Sequence, residues 1–403
     1  MNVLFLALAY HPKAIAEVSR NSKNGLQNQI NNYQWAFISG LRQTMEKTET
    51  LSVLNVLPVG IFPLHYKQLW LFDRKFPEHF QEIGCLNLPW VKQRMREQKS
   101  YQKIIAWAER NNENRHIIIY SLYLPYMQAA IRAKKRFPDL KISIIITDLP
   151  NELGISSGRR GALKKAEYAM GRKKIDLCAD FDGFILLTQH MAEVLPISGK
   201  PQLIMEGLIL KEPAKCEASS ISTAAEPQNG PVVLYSGTLN WELGIGELLD
   251  AFIQMPQYNL WLCGKGDMEK EAELADREYS NIRYFGFVSQ EKALSLQSQA
   301  DVLINPRTDA GTFTRYSFPS KTLEYMRSGK PVLCYRLEGI PSDYDSYLSY
   351  IHPEEGIQMT VHKLLSHSQE ERKQMGESAK HYVLTTKDAA SQCVRLLDFI
   401  RSL

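Results

Sequence analysis

The sequence predicts an α/β protein made of two doubly wound, parallel-sheet domains. Short apolar runs rich in Val, Ile and Leu alternate with longer amphipathic stretches, which is the pattern of βα repetition. The pattern occurs twice, and a polar, aperiodic stretch at 211–230 separates the two halves. With 403 residues, of which 44% are hydrophobic, the chain is long enough for two full cores.

The first domain is predicted over 1–210. Its strands are expected at 2–9, 51–57, 116–121, 141–147, 182–187 and 201–205. Its helices are expected near 26–42, 90–110, 125–136, 160–176 and 189–195. No basic residues precede the first apolar run and no small-residue cleavage site follows it, so we interpret the run as a buried strand and not as a signal peptide.

The second domain is predicted over 231–385, after the linker at 211–230. Its strands are expected at 231–236, 258–263, 282–285, 301–305 and 331–335, again with helices between them. Two further helical segments are expected near 368–383 and 387–402.

The most informative segment runs from Phe313 to Val332 and follows the predicted strand at 301–305. Pro319 suits the first turn of a helix that runs to about Arg327, with Ser317 or Ser320 as its cap. The N-terminus of this helix is then expected to face the carboxyl ends of the strands. Unpaired amide groups and a positive dipole make such a helix end an anion site.

Two side chains of this helix predict what the site binds. Lys321 lies in the first turn, where an ammonium group suits a diphosphate, and Glu324 lies one turn later, where a carboxylate suits the vicinal hydroxyls of a ribose. The alternative is an ordinary surface ion pair between the two, which are spaced i, i+3. The segment therefore predicts a nucleotide-sugar site.

Two phrases, Ser317–Met326 and Gly329–Val332, resemble the bacterial retaining glycosyltransferases of family GT4. The resemblance implies a GT-B fold, in which two Rossmann-like domains face a cleft and the last helix, here 386–403, packs back on the N-terminal domain. It also implies sugar transfer from a nucleoside diphosphate sugar to a polysaccharide or lipid-linked acceptor, with no cofactor and no metal. In that family the second Glu of a Glu-x7-Glu pair binds the donor ribose. Glu324 matches it, whereas Tyr316 stands at the first position.

Glycine-rich turns after two predicted strands add to the donor site. Gly237 and Gly264 follow these strands and allow backbone amides to approach an anion, although simple turn geometry is the alternative for Gly237. Similar enzymes carry an Arg and a Lys where this chain has Thr238 and Leu243, so the diphosphate charge is expected to fall to Arg307, Arg315 and Lys321. The predicted donor-binding residues are Gly237, Thr238, Gly264, Lys265, Arg315, Tyr316, Ser317, Ser320, Lys321, Thr322 and Glu324.

The acceptor side is predicted in the first domain. Asp148 ends a buried strand and is placed to orient an acceptor hydroxyl or to act as its base, with a helix cap or turn as the alternative. Arg20 and Gly25 lie in the loop expected between the first strand and the first long helix. The predicted catalytic residues are Asp148, Lys321 and Arg307.

Charge is concentrated in the segment 159–174. It holds seven basic residues and one acid, namely Arg159, Arg160, Lys164, Lys165, Arg172, Lys173, Lys174 and Glu167. Apolar residues interleave with them, which favours contact with an anionic membrane, and a solvated helix face is the alternative. Nucleic acid is not expected, because no reading motif accompanies the basic residues.

The six cysteines show no metal-binding spacing, and several lie in apolar runs. We therefore expect a protein of the reducing cytoplasm, at the inner face of the membrane where the basic segment touches it. Two alternatives to a glycosyltransferase stay open at this point. They are a non-catalytic subunit that binds a nucleotide sugar, and a sugar-nucleotide epimerase on the same fold.

Overall fold

The computed structural model describes residues 1–23, 25–150, 162–210, 230–309 and 314–403. The chain divides into two compact units. Unit 1 comprises Met1–Leu208 and Ala389–Leu403, and unit 2 comprises Ile209–Asp388. Most of the predicted linker and the beginning of the basic segment 159–174 lie outside the described residues.

Unit 1 is built on an eight-stranded sheet with the strand order β3-β4-β2-β1-β5-β6-β7-β8. The strands are β1 (Asn2–Ala7), β2 (Thr50–Val56), β3 (Arg74–Phe76), β4 (Phe80–Ile83), β5 (Arg115–Tyr120), β6 (Lys141–Ile146), β7 (Gly183–Leu186) and β8 (Gln202–Ile204). Only the β3–β4 pair is antiparallel within this described sheet. The strand order reverses direction at β1, which is the point where such sheets bind ligands.

The helices of unit 1 include one from the far end of the chain. They are α1 (Ile15–Asn21), α2 (Asn28–Thr44), α3 (Val91–Arg110), α4 (Leu124–Arg136), α5 (Ala162–Leu177), α6 (Met191–Val194) and α13 (Ala389–Arg401). α13 packs on α2 so closely that a Cβ on Gly40 would lie 2.3 Å from the Ala389 carbonyl oxygen and 2.6 Å from Cys393 Sγ. Arg401, at the end of α13, also pairs with Glu49 at 3.0 Å.

Unit 2 is built on a six-stranded parallel sheet with the order β11-β10-β9-β12-β13-β14. The strands are β9 (Val232–Ser236), β10 (Asn259–Cys263), β11 (Ile282–Tyr284), β12 (Val302–Asn305), β13 (Val332–Tyr335) and β14 (Ser349–Ile351). The helices are α7 (Ile245–Ile253), α8 (Glu269–Glu278), α9 (Gln290–Gln299), α10 (Ser320–Arg327), α11 (Gly356–Ser366) and α12 (Gln369–Thr386). Here the strand order reverses at β9, between β10 and β12.

Burial explains why these strands form. Every residue of β9, β10 and β12 is buried, and hydrophobic clusters lie on both faces of the unit 2 sheet. Continuous apolar runs of this kind are typical of parallel strands covered by helices on both sides. The predicted fold class, α/β with two doubly wound parallel sheets, is confirmed.

The structure also contains five elements that the sequence did not predict, namely α1, β3, β4, β14 and α11. The three strands are only three or four residues long. Strands this short carry too little alternation to be separated from loops. α12 was easier to locate because Ser368 and Glu371 form a capping box at its start.

Candidate functional site

The candidate site of unit 2 lies where β9, β10 and β12 end and α10 begins. Ser236 is the last residue of β9, and the turns that begin at Gly237, Gly264 and Pro306 follow the three strands. The carboxyl ends of parallel strands meet at one edge of the sheet, which is the ligand-binding edge of open α/β folds. The reversal of strand order at β9 places this edge at the switch point of unit 2.

Three glycines at this edge have no room for a Cβ, two of them because of backbone contacts. Gly264 has a φ of +145°, and a Cβ there would lie 1.6 Å from the Gly237 carbonyl oxygen. Gly244, with a φ of +78°, would place a Cβ 2.2 Å from the Pro306 carbonyl oxygen. The structure therefore brings Gly237 and Gly264 together. Positive φ values and contacts with neighbouring turns account for Gly264 and Gly244, whereas the reason for Gly237 is a side chain of α10.

That side chain is Lys321, which secures the end of β9. Its Nζ donates to the Ser236 carbonyl oxygen at 2.5 Å, and a Cβ on Gly237 would lie only 2.6 Å from the same Nζ. Tyr325 adds a second tie, because its hydroxyl accepts from Ser236 N at 2.9 Å and donates to Ser236 O at 3.1 Å. Burial raises the pKa of the Tyr325 hydroxyl well above its ordinary value, so the group stays a phenol.

Lys321 and Glu324 do not form the surface ion pair that was the alternative for them, since neither is fully exposed and no pair within 4.0 Å joins them in the described chain. Burial lowers the pKa of Lys321, and the negative charge of Glu324 opposes this shift. Glu324 Oε1 instead accepts a hydrogen bond from Gln297 Nε2 at 2.8 Å. Both charged groups are thus held by partners outside α10.

Gln297, near the end of α9, is a site residue that sequence reasoning missed. It is 1% exposed, and its Nε2 lies within 3.4 Å of Ser236 Oγ as well as bonding Glu324. Its Oε1 has no hydrogen-bond partner among the residues that the structure describes. The sequence offered one signal for this residue, a Gln beside Leu296 on the buried face of α9. A single Gln has no distinctive spacing, so it could not be recognised as a site residue.

Arg307 closes the loop that follows β12. Its guanidinium donates to Ser317 Oγ at 3.0 Å, and it interacts electrostatically with Tyr235, whose hydroxyl donates to the Thr238 carbonyl oxygen at 2.7 Å. Burial lowers the pKa of Arg307, and the Asp309 carboxylate opposes this shift. A guanidinium stays protonated at neutral pH in either case. A half-buried positive charge therefore lies beside the turn that follows β9.

Arg315 and Tyr316 lie in a short 3₁₀ turn just before α10. Arg315 Nε is 3.1 Å from a carboxylate oxygen of Glu338, and the guanidinium lies 5.6 Å from the centroid of the Tyr316 ring. Arg315 is therefore engaged by a carboxylate in this structure. Residues 310–313, including Phe313 at the start of the motif, lie outside the described ranges.

The start of α10 departs from one prediction, and the donor-site candidates Ser320 and Thr322 differ in exposure. The helix begins at Ser320 with Pro319 as its N-cap, and no side chain caps it, so the expected capping by Ser317 or Ser320 is wrong. Ser317 instead accepts from Arg307. Thr322 is 0% exposed, so its side chain faces the core. Ser320 is exposed.

Lys265, in the turn after β10, is the remaining donor-site candidate. Its carbonyl oxygen accepts from Leu239 N at 2.9 Å, which ties the turns after β9 and β10 together. Its Nζ lies 5.4 Å from the centroid of the exposed Phe287 ring, a cation–π distance. The Lys265 side chain thus lies beside the segment that follows β11.

The acceptor-side candidates of unit 1 lie at separate elements. Asp148 is exposed, two residues after β6, and accepts from Thr147 Oγ1 at 3.1 Å. Arg20 lies within α1 and not in a loop, and its carbonyl oxygen accepts from Lys67 Nζ at 2.8 Å. Gly25 has a φ of +74°, and a Cβ there would contact no atom within 4 Å. Its conformation requires glycine although the space around it does not.

A buried carboxamide cluster at the end of β1 was also missed by sequence reasoning. Gln34 bonds both Leu8 N and Leu8 O at 2.6 Å, and Asn55 bonds Ala9 N at 2.8 Å and Ala9 O at 2.9 Å. Asn55 Nδ2 also donates to Glu82 Oε2 at 3.1 Å. Burial raises the pKa of Glu82 to about 7. These amides fix the chain where it leaves the central strand of unit 1.

Two structural features are missing from the described residues. No group of three or more His, Cys, Asp or Glu side chains in them is arranged to hold a metal ion. No helix in them combines the length and the apolar character needed to span a membrane.

Unit 2, which carries this site, is similar to a known protein family. Residues 219–382 match the family model described as glycosyl transferases group 1. That span includes β9 to β14 and hence the whole edge described above. No curated protein matches the chain.

Solved structures are similar over nearly the whole chain. Sucrose-phosphate synthase from Thermosynechococcus elongatus is 12% identical with a TM-score of 0.63, and the match covers 100% of this chain and 99% of that one. An α,α-trehalose-phosphate synthase (UDP-forming) from Burkholderia xenovorans, in complex with glucose-6-phosphate, is 9% identical with a TM-score of 0.62 and 99% coverage of both chains. This chain has the GT-B fold. The predicted resemblance to GT-B glycosyltransferases is confirmed.

A third GT-B relative is an E. coli structure described as trehalose-6-phosphate bound with UDP-2-fluoro glucose. It is 10% identical with a TM-score of 0.59, and the match covers 99% of both chains. Identities this low establish the fold alone. Assignment to family GT4 within the GT-B class stays a prediction.

Proposed function

We propose that this protein is a retaining, metal-independent glycosyltransferase that moves a sugar from a nucleoside diphosphate sugar to a polysaccharide or lipid-linked acceptor. The observation that carries the proposal is the pair of Lys321 and Glu324 at the ligand-binding edge of unit 2, inside the span that matches glycosyl transferases group 1. The names of two similar structures include UDP or a UDP sugar, which supports a donor of this class.

Lys321 is proposed to bind the diphosphate. An ammonium group has three N–H donors, and the hydrogen bond to Ser236 O uses one of them, so two are left for phosphate oxygens. The N-terminus of α10 adds its dipole at the same place. Gly237, which has no side chain, leaves the Nζ group uncovered on that side.

Arg307 is proposed to share the charge of the departing diphosphate. Fixed cations stabilise a leaving group more when burial reduces their contact with water, and the Arg307 side chain is half-buried. With Lys321 it would replace the Arg and Lys that similar enzymes carry where this chain has Thr238 and Leu243. This electrostatic mechanism uses no metal. Lys265 and Arg315 stay secondary candidates for the same role.

Glu324 is proposed to bind the donor ribose. A carboxylate accepts several hydrogen bonds, and the bond from Gln297 leaves Oε2 and part of Oε1 available for vicinal hydroxyls. Asp148 is proposed as the acceptor-side base because it is an exposed carboxylate at the end of β6. Arg20 and Gly25 stay acceptor-side predictions, and Tyr316 has no assigned role.

The proposed compartment is the cytoplasm. The five described cysteines are buried thiols, which suits a reducing environment. Contact of the basic segment 159–174 with an anionic membrane belongs to the same proposal. Of that segment, the structure describes the side chains from Tyr168 onward, and Arg172 pairs weakly with Asp176 at 3.8 Å.

Thermal-shift binding to UDP-, GDP-, ADP- and dTDP-sugars in the presence of EDTA tests the proposal. We expect one nucleotide to stabilise the wild-type protein, and Lys321→Ala and Glu324→Ala to abolish the shift. Lys270→Ala, at an exposed lysine of α8, is the matched control and should retain it. Stabilisation by none of the nucleotides would refute the donor site.

Transfer itself requires a second assay. Incubation of the wild-type protein with the bound donor and a glycan or lipid-linked acceptor should yield a product whose anomeric configuration NMR can assign. A product with inverted configuration would refute the retaining mechanism. Donor binding without any turnover would favour the non-catalytic alternative.

A further inference from the structure

Unit 1 exposes five large apolar side chains between positions 64 and 91. The exposed fractions are 62% for Leu64, 53% for Trp70, 71% for Phe72, 84% for Trp90 and 41% for Val91. We call these five residues the aromatic surface. Single exposed apolar residues are ordinary, whereas a group of large ones marks an interaction site.

Backbone pairing brings the segments that carry these residues together. Trp70 forms an antiparallel bridge with Leu86. Asn87, which is fully buried, donates from Nδ2 to the Gly60 carbonyl oxygen at 3.0 Å and to the Gln68 carbonyl oxygen at 3.2 Å. Its own carbonyl oxygen accepts from Phe62 N at 3.0 Å. The loops after β2 and β4 therefore form one continuous structure.

Trp70 and Phe72 face the same way on this structure. The residue between them, Leu71, is 7% exposed and donates from its N–H to the Cys85 carbonyl oxygen at 2.9 Å. In an extended chain, alternate side chains point to opposite faces. The segment thus buries Leu71 and projects both aromatic rings into solvent.

Trp90 is exposed and has an unfavourable backbone conformation. Its φ is +63°, in the left-handed region that costs free energy for any residue with a Cβ. It directly precedes α3, and its side chain is the most exposed of the five. Packing of the ring in this structure does not compensate for the strain. Strained residues of this kind cluster at functional positions.

Basic side chains flank the aromatic surface. Lys67, Lys75 and Arg94 are exposed, and none of them forms an ion pair within the part of the chain that is described. The nearest acid in sequence, Asp73, is neutralised by Lys99 at 2.9 Å. Tryptophan and phenylalanine rings beside uncompensated lysine and arginine are typical of surfaces that lie in the headgroup region of anionic membranes.

We propose that the aromatic surface docks on an anionic phospholipid membrane, with Trp70, Phe72 and Trp90 inserted at the level of the headgroups. The surface follows β2 and β4, so it lies at the carboxyl edge of the unit 1 sheet. It is separate in sequence from the basic segment 159–174. The inference does not depend on sugar transfer, and it gives a lipid-linked acceptor a direct route to unit 1.

Cosedimentation of the full chain with vesicles tests this proposal. The vesicles are phosphatidylcholine alone and phosphatidylcholine with phosphatidylglycerol. We expect binding to the anionic vesicles, and a loss of about tenfold or more in affinity for the double variant Trp70→Ser, Trp90→Ser. Trp241→Ser is the matched control, because Trp241 of unit 2 is 65% exposed. It should bind like the wild-type protein.

Quenching of tryptophan fluorescence by brominated lipid identifies the inserted side chains. Quenching should decrease in Trp90→Phe and stay unchanged in Trp241→Phe. Equal binding by the wild-type protein and the double variant would overturn the proposal, as would no binding by the wild-type protein. The proposal would also be overturned if the wild-type protein self-associated without binding vesicles and the double variant did not self-associate. That result would assign the surface to a second copy of the chain.

Discussion

Replacement of Gln297 by methionine should weaken recognition of the donor ribose. Gln297 donates the 2.8 Å hydrogen bond that orients Glu324, and no ligand contact is proposed for Gln297 itself. It is therefore a positioning residue. Methionine has a similar length and keeps the apolar contacts of the buried side chain while it removes the donor. The Glu324 carboxylate then becomes free to rotate away from the ribose.

The magnitude follows from the kind of bond that is lost. A hydrogen bond to a charged group contributes about 1.5 to 3 kcal/mol, which corresponds to roughly 10- to 100-fold in Kd. Stability of the fold should change less. Gln297 Oε1 has no partner among the described residues, so the substitution also removes a buried acceptor that is unsatisfied in this structure.

Calorimetric titration with UDP and with 2′-deoxy-UDP measures the difference in Kd between the two nucleotides. If the protein binds another base, the corresponding pair of nucleotides is used. The wild-type protein should prefer the ribonucleotide, and Gln297→Met should lose most of that preference. Gln299→Met is the control on the same helix, because Gln299 is exposed and bonds Ser295 of its own helix. If Glu324→Ala abolished the preference and Gln297→Met retained it in full, the positioning role would be refuted.

Two further predictions concern stability. Gly264→Ala should destabilise unit 2 by at least about 3 kcal/mol in urea unfolding, because a Cβ would lie 1.6 Å from Gly237 O at a φ of +145°. Gly286→Ala, with a φ of +70° and no atom within 4 Å of the added Cβ, should cost about 1 kcal/mol; equal costs would show that the contact relaxes. Burial raises the pKa of Glu82 from 4.5 to about 7, so the folded state binds the proton more tightly and wild-type stability falls as pH rises through that interval. Glu82→Gln should therefore gain roughly 2 to 3 kcal/mol relative to the wild-type protein between pH 5 and pH 8; a constant difference across that range would contradict the buried-acid explanation.

The sequence predicted the fold well because buried parallel strands leave a strong local signal. Runs such as Val232–Ser236 and Lys141–Ile146 are apolar and bounded by turn residues, so their positions agree with the structure to within one or two residues. The edge strand β14 and the β3–β4 pair escaped prediction. Their three or four residues pair through backbone atoms, which any side chain permits.

The site was predicted less completely, for a different physical reason. Lys321 and Glu324 were found because they lie in the first turn, and one turn later, of a predicted helix that follows a buried strand. Their partners were not found, since Ser236 contributes a backbone carbonyl and Gln297 an amide from a helix distant in sequence. Only the fold brings such groups together. For the same reason no pattern showed that Thr322 faces the core while Ser320 is exposed.

The place of α13 in unit 1 has a consequence for synthesis of the protein. Unit 2 is continuous in the chain, so it has all its residues once Asp388 has left the ribosome. Unit 1 cannot complete its fold until Ala389–Arg401 has been synthesised. Before that, no helix covers the face of α2 around Gly40. Domains fold as units during translation, so unit 2 can reach its final structure before unit 1, although most of unit 1 is made first. A nascent chain paused near residue 388 is therefore the state in which a chaperone would find apolar surface of unit 1 uncovered.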